Sequence, residues 1–118
     1  MGQVSTNINL NNKKFTALSN SENGETSSQT VFHYRQKGNI IWATYEGGNI
    51  LFGTLSGQRI DGELIFRYQH QNIEGEFLMG KCQSKIEFFN GRIFLKERWQ
   101  WMCKDFSEGE SVLEELME

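Results

Sequence analysis

The chain has 118 residues, with 12 glycines, no proline, nine Phe, three Tyr, three Trp and a formal net charge of -3. That length holds one domain around one core. A mildly acidic balance with singly spread basic residues argues against a nucleic-acid partner. The lack of an apolar run near the ~18 residues of a membrane span, or of a signal-peptide core, predicts a soluble cytoplasmic protein with no membrane partner.

Residues 1–13 are polar and rich in Asn, and they are expected to form a mobile arm or a loosely attached edge strand ahead of a single domain over 14–118. Gly2 with Thr6 also fits a short N-myristoylation pattern, without the polybasic patch that usually accompanies it. From residue 14 onward, turn pairs recur: Asn23-Gly24, Gly38-Asn39, Gly47-Gly48, Asp61-Gly62, Glu74-Gly75, Asn90-Gly91 and Glu108-Gly109. Glycine takes positive φ without a Cβ clash and Asn or Asp tolerates it, so such pairs reverse antiparallel strands. The segments between them are too short for stable helices and rich in β-branched and aromatic residues. They predict strands near 14–19, 27–37, 39–46, 49–56, 62–71, 75–88, 91–102 and 109–116.

Alternation assigns faces. In 31–36, Phe32, Tyr34 and Gln36 form the inward set; in 62–71, Leu64, Phe66, Tyr68 and His70; in 91–101, Ile93, Leu95, Glu97, Trp99 and Trp101. In 40–46 either Ile41, Ala43 and Tyr45 or Ile40, Trp42 and Thr44 could face inward. Gly53 and Gly80 fall inside strand patterns and suggest bulges, tight bends or the close approach of another group. Ser107 with Glu110 fits a helix capping box before Val112, Leu113, Leu116 and Met117, but a return strand is favoured over 109–116. Residues 104–118 carry Lys104 against Asp105, Glu108, Glu110, Glu114, Glu115 and Glu118, a local charge of 1 - 6 = -5. This is read as a solvated end or a docking tail.

About eight strands with one apolar face and no helix to cover it predict an all-β antiparallel meander. It closes into a small up-and-down barrel of the lipocalin-like, calycin-like kind. The informative residues are polar groups on the apolar face. Glu97 between Leu95 and Trp99 needs a partner if buried, and desolvation would raise its pKa. Tyr68 and His70 are the candidate partners. Tyr34, Tyr45, Trp99 and Trp101 supply an aromatic wall with hydroxyl or indole donors. Two readings stay open. One is a ligand pocket lined by Tyr34, Tyr45, Tyr68, His70, Glu97, Trp99 and Trp101, which calls for a cavity of at least ~300 Å³; the other is a polar network plugging the core. Cys82 and Cys103 are expected as free thiols. No metal or cofactor motif occurs, no catalytic residue can be assigned, and the oligomeric state is not legible.

Several segments together carry a resemblance: Ser19-Asn-Ser-Glu-Asn-Gly-Glu25, Thr30-Val-Phe-His-Tyr34, Tyr45-Glu-Gly-Gly48, Phe66-Arg-Tyr-Gln-His70, Gly80-Lys-Cys82, Glu97-Arg-Trp-Gln-Trp101 and Gly109-Glu-Ser-Val-Leu-Glu-Glu115. Over about residues 14–116 the chain resembles a family of small bacterial proteins that carry the name N-acetylglutamate synthase. The resemblance implies acetyl transfer from acetyl-CoA. Acetyltransferases of that name use a glycine-rich pyrophosphate cradle at a helix start, and the nearest approach here is Arg59-Ile-Asp-Gly62-Glu-Leu64, followed by a strand. Binding of a small ligand inside the barrel is therefore the leading expectation. Acetyl transfer is the alternative, and a structural or protein-interaction domain the second alternative.

Overall fold

The computed structural model describes residues 3–4, as backbone, and 8–117. It contains nine strands: β1 Gln3–Val4, β2 Lys13–Asn20, β3 Val31–Lys37, β4 Ile40–Gly47, β5 Ile50–Ile60, β6 Glu63–Asn72, β7 Phe77–Phe89, β8 Arg92–Trp101 and β9 Glu108–Glu115. Strands β2 to β9 form an antiparallel meander that closes through β2–β9 and β7–β8 pairing into an eight-stranded barrel. Short β1 pairs with the end of β7 that runs past β6, matching Gln3 with Phe88 and Val4 with Glu87. Among the described residues there is no helix, so none that could cross a membrane. The Gly2 and Thr6 match lies outside the described residues.

The turns behave as the dipeptides dictate. Asn90 and Gly91 both take positive φ, 53° and 76°, and close the β7–β8 hairpin in two residues, the geometry that matches strand twist. The inward sets of β3, β6 and β8 are the buried ones, and in β4 the inward set is Ile41, Ala43 and Tyr45. Residues 108–115 form a strand, with Ser111, Leu113 and Glu115 inward, because a return strand hydrogen-bonds both β8 and β2 whereas a helix would leave the sheet open. Residues 27–30 precede β3 as a loop that buries Thr30, whose hydroxyl donates to the Gly47 carbonyl.

The glycines inside strands have one shared role. Register shifts fall between Ala17 and Ser19, Tyr45 and Gly47, and Ile50 and Phe52, while pairing runs without a break through Gly53 and Gly80. Each inward glycine instead faces an aromatic on the adjacent strand: Gly53 opposite Tyr45, Gly57 opposite Phe66, Gly80 opposite Tyr68 and Gly109 opposite Trp99. A Cβ on Gly53 would lie 2.4 Å from the Tyr45 ring, and one on Gly109 would lie 2.2 Å from the Trp99 ring. The rings thus lie down along the wall over bare backbone, which lets an eight-stranded barrel hold so many of them.

The barrel has a filled half and a wetter half. At the end carrying the β3–β4, β5–β6 and β7–β8 turns, Phe15, Ile41, Leu64, Ile86, Leu95 and Leu113 are fully buried. Leu10, within the segment expected as an arm, is fully buried too. Its amide bonds Gln36 Oε1, and Arg59 Nη1 donates to the Ile8 carbonyl, so residues 8–12 fold over that end. The opposite end, the mouth, carries the β2–β3, β4–β5, β6–β7 and β8–β9 loops.

Candidate functional site

Three strands place one polar row across the inside of the barrel. Ser84 on β7 pairs with Glu97 on β8, which pairs with Ser111 on β9, and all three are buried. Ser111 Oγ donates to Glu97 Oε1 at 2.8 Å and Ser84 Oγ to Oε2 at 3.3 Å. Burial raises the Glu97 pKa from 4.5 to about 7, against the lowering effect of the two serine hydrogen bonds. The Leu95 side lies toward the filled half and the Trp99 side toward the mouth, so Glu97 forms a floor between them.

Above that floor the aromatic side chains form one connected wall. Phe32 stacks on Tyr45 with ring centroids 4.9 Å apart; Tyr45 meets His70 at 5.7 Å, His70 meets Trp101 at 5.8 Å, and Trp101 meets Trp99 at 5.4 Å. Stacked and edge-to-face pairs of this kind hold rings in fixed orientations. They enclose a partly open cavity of about 40 Å³, room for about one to three waters. Of the candidate pocket residues, Tyr45, Tyr68, His70, Glu97, Trp99 and Trp101 line it, and so do Asn20, Glu25, Phe32, Cys82 and Ser111. Tyr34 does not. It lies fully buried against Phe15, its hydroxyl without a hydrogen-bond partner, and desolvation first, then the Glu97 charge, raises its pKa far above the ordinary phenol range.

Two expectations need correction. The cavity is well under the ~300 Å³ of a typical ligand pocket, because the rings and the loop between β2 and β3 occupy most of the upper barrel. Glu97 is held by serines rather than by Tyr68 or His70. His70 turns instead toward the mouth, where Nε2 lies 2.7 Å from Glu25 Oε1 and Nδ1 lies 3.0 Å from Tyr45 Oη. An ionised carboxylate only accepts, so Nε2 carries the hydrogen and Nδ1 accepts from the Tyr45 hydroxyl. Burial lowers the His70 pKa, partly offset by Glu25, which keeps this neutral tautomer.

Glu25 belongs to the loop over residues 21–30, which is strapped across the mouth at several points. Its other oxygen accepts from Asn72 Nδ2 at 3.1 Å. The Asn23 carbonyl accepts from Trp101 Nε1 at 3.0 Å, and Asn23 Nδ2 donates to Ser107 Oγ at 3.0 Å. A loop residue has no periodicity to betray it, so Glu25 has no sequence signal. Ser84 and Ser111 do have one, since each shares the inward parity of its strand.

The model of a family described as "Avidin-like protein" matches residues 8–116. No curated protein and no solved structure matches the chain. The family match overturns the resemblance to proteins named N-acetylglutamate synthase: the segments that carried it lie in the strands and loops of a barrel, and among the described residues there is no helix start at which an acetyl-CoA cradle could form.

Proposed function

Because this chain belongs to the avidin-like protein family, we propose that it is a binding protein, not an enzyme, and that it receives the leading end of a small molecule in the mouth half of its barrel. One observation carries this reading. The barrel is filled to the level of Glu97 and partly open above it, with aromatic walls and a carboxyl floor. Avidin-like proteins bind small molecules such as biotin, which supports binding over catalysis. The separate engagements of Glu97 with two serines and of His70 with Glu25 and Tyr45 support it as well, since neither group faces the other as acid and base. The unpaired Cys82 and Cys103 support a reducing, cytoplasmic setting.

In this reading Trp99, Trp101, Tyr45 and Tyr68 contact the body of the ligand, and Glu97 accepts hydrogen bonds from its end. Whatever does not fit in the space above Glu97 lies beneath the loop over 21–30 or displaces it. Tryptophan fluorescence tests this directly, because Trp99 and Trp101 line the cavity while Trp42 is on the outer face. In a Trp42→Phe background, a panel of small molecules that begins with biotin should include one that changes emission saturably at one molecule per chain. A panel that leaves emission unchanged throughout, including after loosening the loop with Glu25→Gln, would overturn the reading.

A further inference from the structure

We infer that the end of the ligand that reaches Glu97 is a primary ammonium group, so that the barrel selects small organic amines over neutral or anionic molecules of the same shape. This deepens the proposed binding function and rests on it.

Several polar groups around the cavity have acceptor capacity to spare. Glu97 takes one hydrogen bond on each oxygen, and a carboxylate oxygen has room for a second. Asn20 lines the same cavity; its Nδ2 is committed to Thr26, and its buried Oδ1 has no partner. Tyr45 spends its proton on His70 Nδ1, which leaves its oxygen to accept. Three donors near the cavity are already used, Trp101 Nε1 by the Asn23 carbonyl and the two serine hydroxyls by Glu97, while the Trp99 indole N–H and the Tyr68 hydroxyl remain as donors on its wall. A ligand end that completes the Glu97 and Asn20 acceptors must bring several N–H donors.

Charge and size narrow the choice. The carboxyls that line the cavity are Glu97 and Glu25, and among the described residues no Lys or Arg lines it. Phe32, Tyr45, Trp99 and Trp101 present aromatic rings, whose faces attract cations. A space of about 40 Å³ admits an ammonium with its first methylene and is tight for a trimethylated head. A primary ammonium offers three donors on a compact charge. A carboxylate end would instead meet Glu97 across a space without a cation.

The titratable groups that face Glu97 are Tyr34 from β3, Tyr45 from β4, Tyr68 from β6 and Cys82 from β7, and burial keeps each in its neutral form. His70 and Glu25 stand farther toward the mouth, joined to each other. Glu97 therefore dominates the proton linkage, and an ammonium must displace its proton in order to pair with it. With a pKa of about 7, binding should tighten ~10-fold from pH 6 to pH 8 while an alkylammonium stays protonated throughout.

The test uses n-hexylammonium, 1-hexanol and hexanoate, which share one chain and differ in the charge of the end group, titrated into the Trp42→Phe protein. Hexylammonium should bind at least ~10-fold tighter than hexanol, about 1.4 kcal/mol, and hexanoate should give no saturable change. Glu97→Gln, whose folding is checked by thermal unfolding, should bring hexylammonium and hexanol to equal affinity and remove the pH dependence. Hexanol or hexanoate binding as tightly as hexylammonium, or Glu97→Gln keeping the ammonium preference, overturns the inference and leaves the pocket standing. Silence from all three while another member of the biotin panel binds also overturns it alone. Silence from every molecule overturns both.

Discussion

Replacing Glu97 by Gln should stabilise the protein at alkaline pH and do little at acidic pH. In the folded barrel Glu97 releases its proton at about 7 instead of at the ordinary 4.5, because burial penalises the charge more than Ser111 and Ser84 relieve it. A folded-state pKa above the unfolded one means that the folded chain holds the proton longer. The stability tied to that proton is complete below about 4.5 and is lost as pH rises through about 7. At about 1.4 kcal/mol per tenfold change in proton affinity, the loss approaches about 3 kcal/mol by pH 8. Gln keeps the shape, accepts from one serine and donates to the other, and never ionises. Glu97→Gln should therefore raise the midpoint of thermal unfolding by roughly 10 °C at pH 8 for a chain of this size, and by almost nothing at pH 4.5. The assay is a pair of melting curves at each pH, without added ligand. An equal effect of the substitution at both values, or destabilisation at pH 8, would show that the carboxylate is not held in a desolvated row of serines.

Three further outcomes follow from the packing. Gly53→Ala places a Cβ 2.4 Å from the Tyr45 ring and should cost about 1–3 kcal/mol in urea unfolding; an unchanged midpoint would mean that the ring does not lie on the glycine. Glu25→Gln removes the charge that raises the His70 pKa, so an NMR titration should find His70 ionising at lower pH, and hydrogen exchange should speed up across residues 21–30. Unchanged His70 ionisation would mean that the strap does not exist in solution. Leu10→Ala opens the filled end, where Leu10 is fully buried, and should cost about 2–5 kcal/mol; a cost near zero would return residues 8–12 to the status of a loose arm.

Much of the barrel was legible because period-2 alternation and turn dipeptides are local signals. The inward set from Ile93 to Trp101 and the hairpin at Asn90-Gly91 could be read residue by residue. Closure followed from the lack of any helix to cover an apolar face. The cavity lining was legible to the same depth, since Tyr45, Tyr68, His70, Glu97, Trp99 and Trp101 all share inward parity. What escaped depends on register and loops. That Glu97 is flanked by Ser84 and Ser111 is fixed by strand pairing, which no single strand encodes. Tyr34 has the right parity but lies toward the filled half, a difference of height along the barrel and not of face. Leu10 sits in an Asn-rich stretch without alternation, and Glu25 reaches His70 from a loop across 45 positions of sequence. The glycine-for-aromatic pairing was half visible: Gly53 and Gly80 stood out within their strands, but their partners became identifiable only with the register.

The most direct test of the central claim is native mass spectrometry of the protein isolated without denaturation from the cells that make it, with Glu97→Gln isolated in parallel. The account predicts one small molecule retained per chain in the parent protein and lost or sharply reduced in the Gln variant, which is otherwise folded and at least as stable. Retention of the same molecule at equal occupancy in both would take Glu97 out of the site. Bare chains in both, unchanged by adding any molecule of the fluorescence panel, would contradict ligand binding in the barrel.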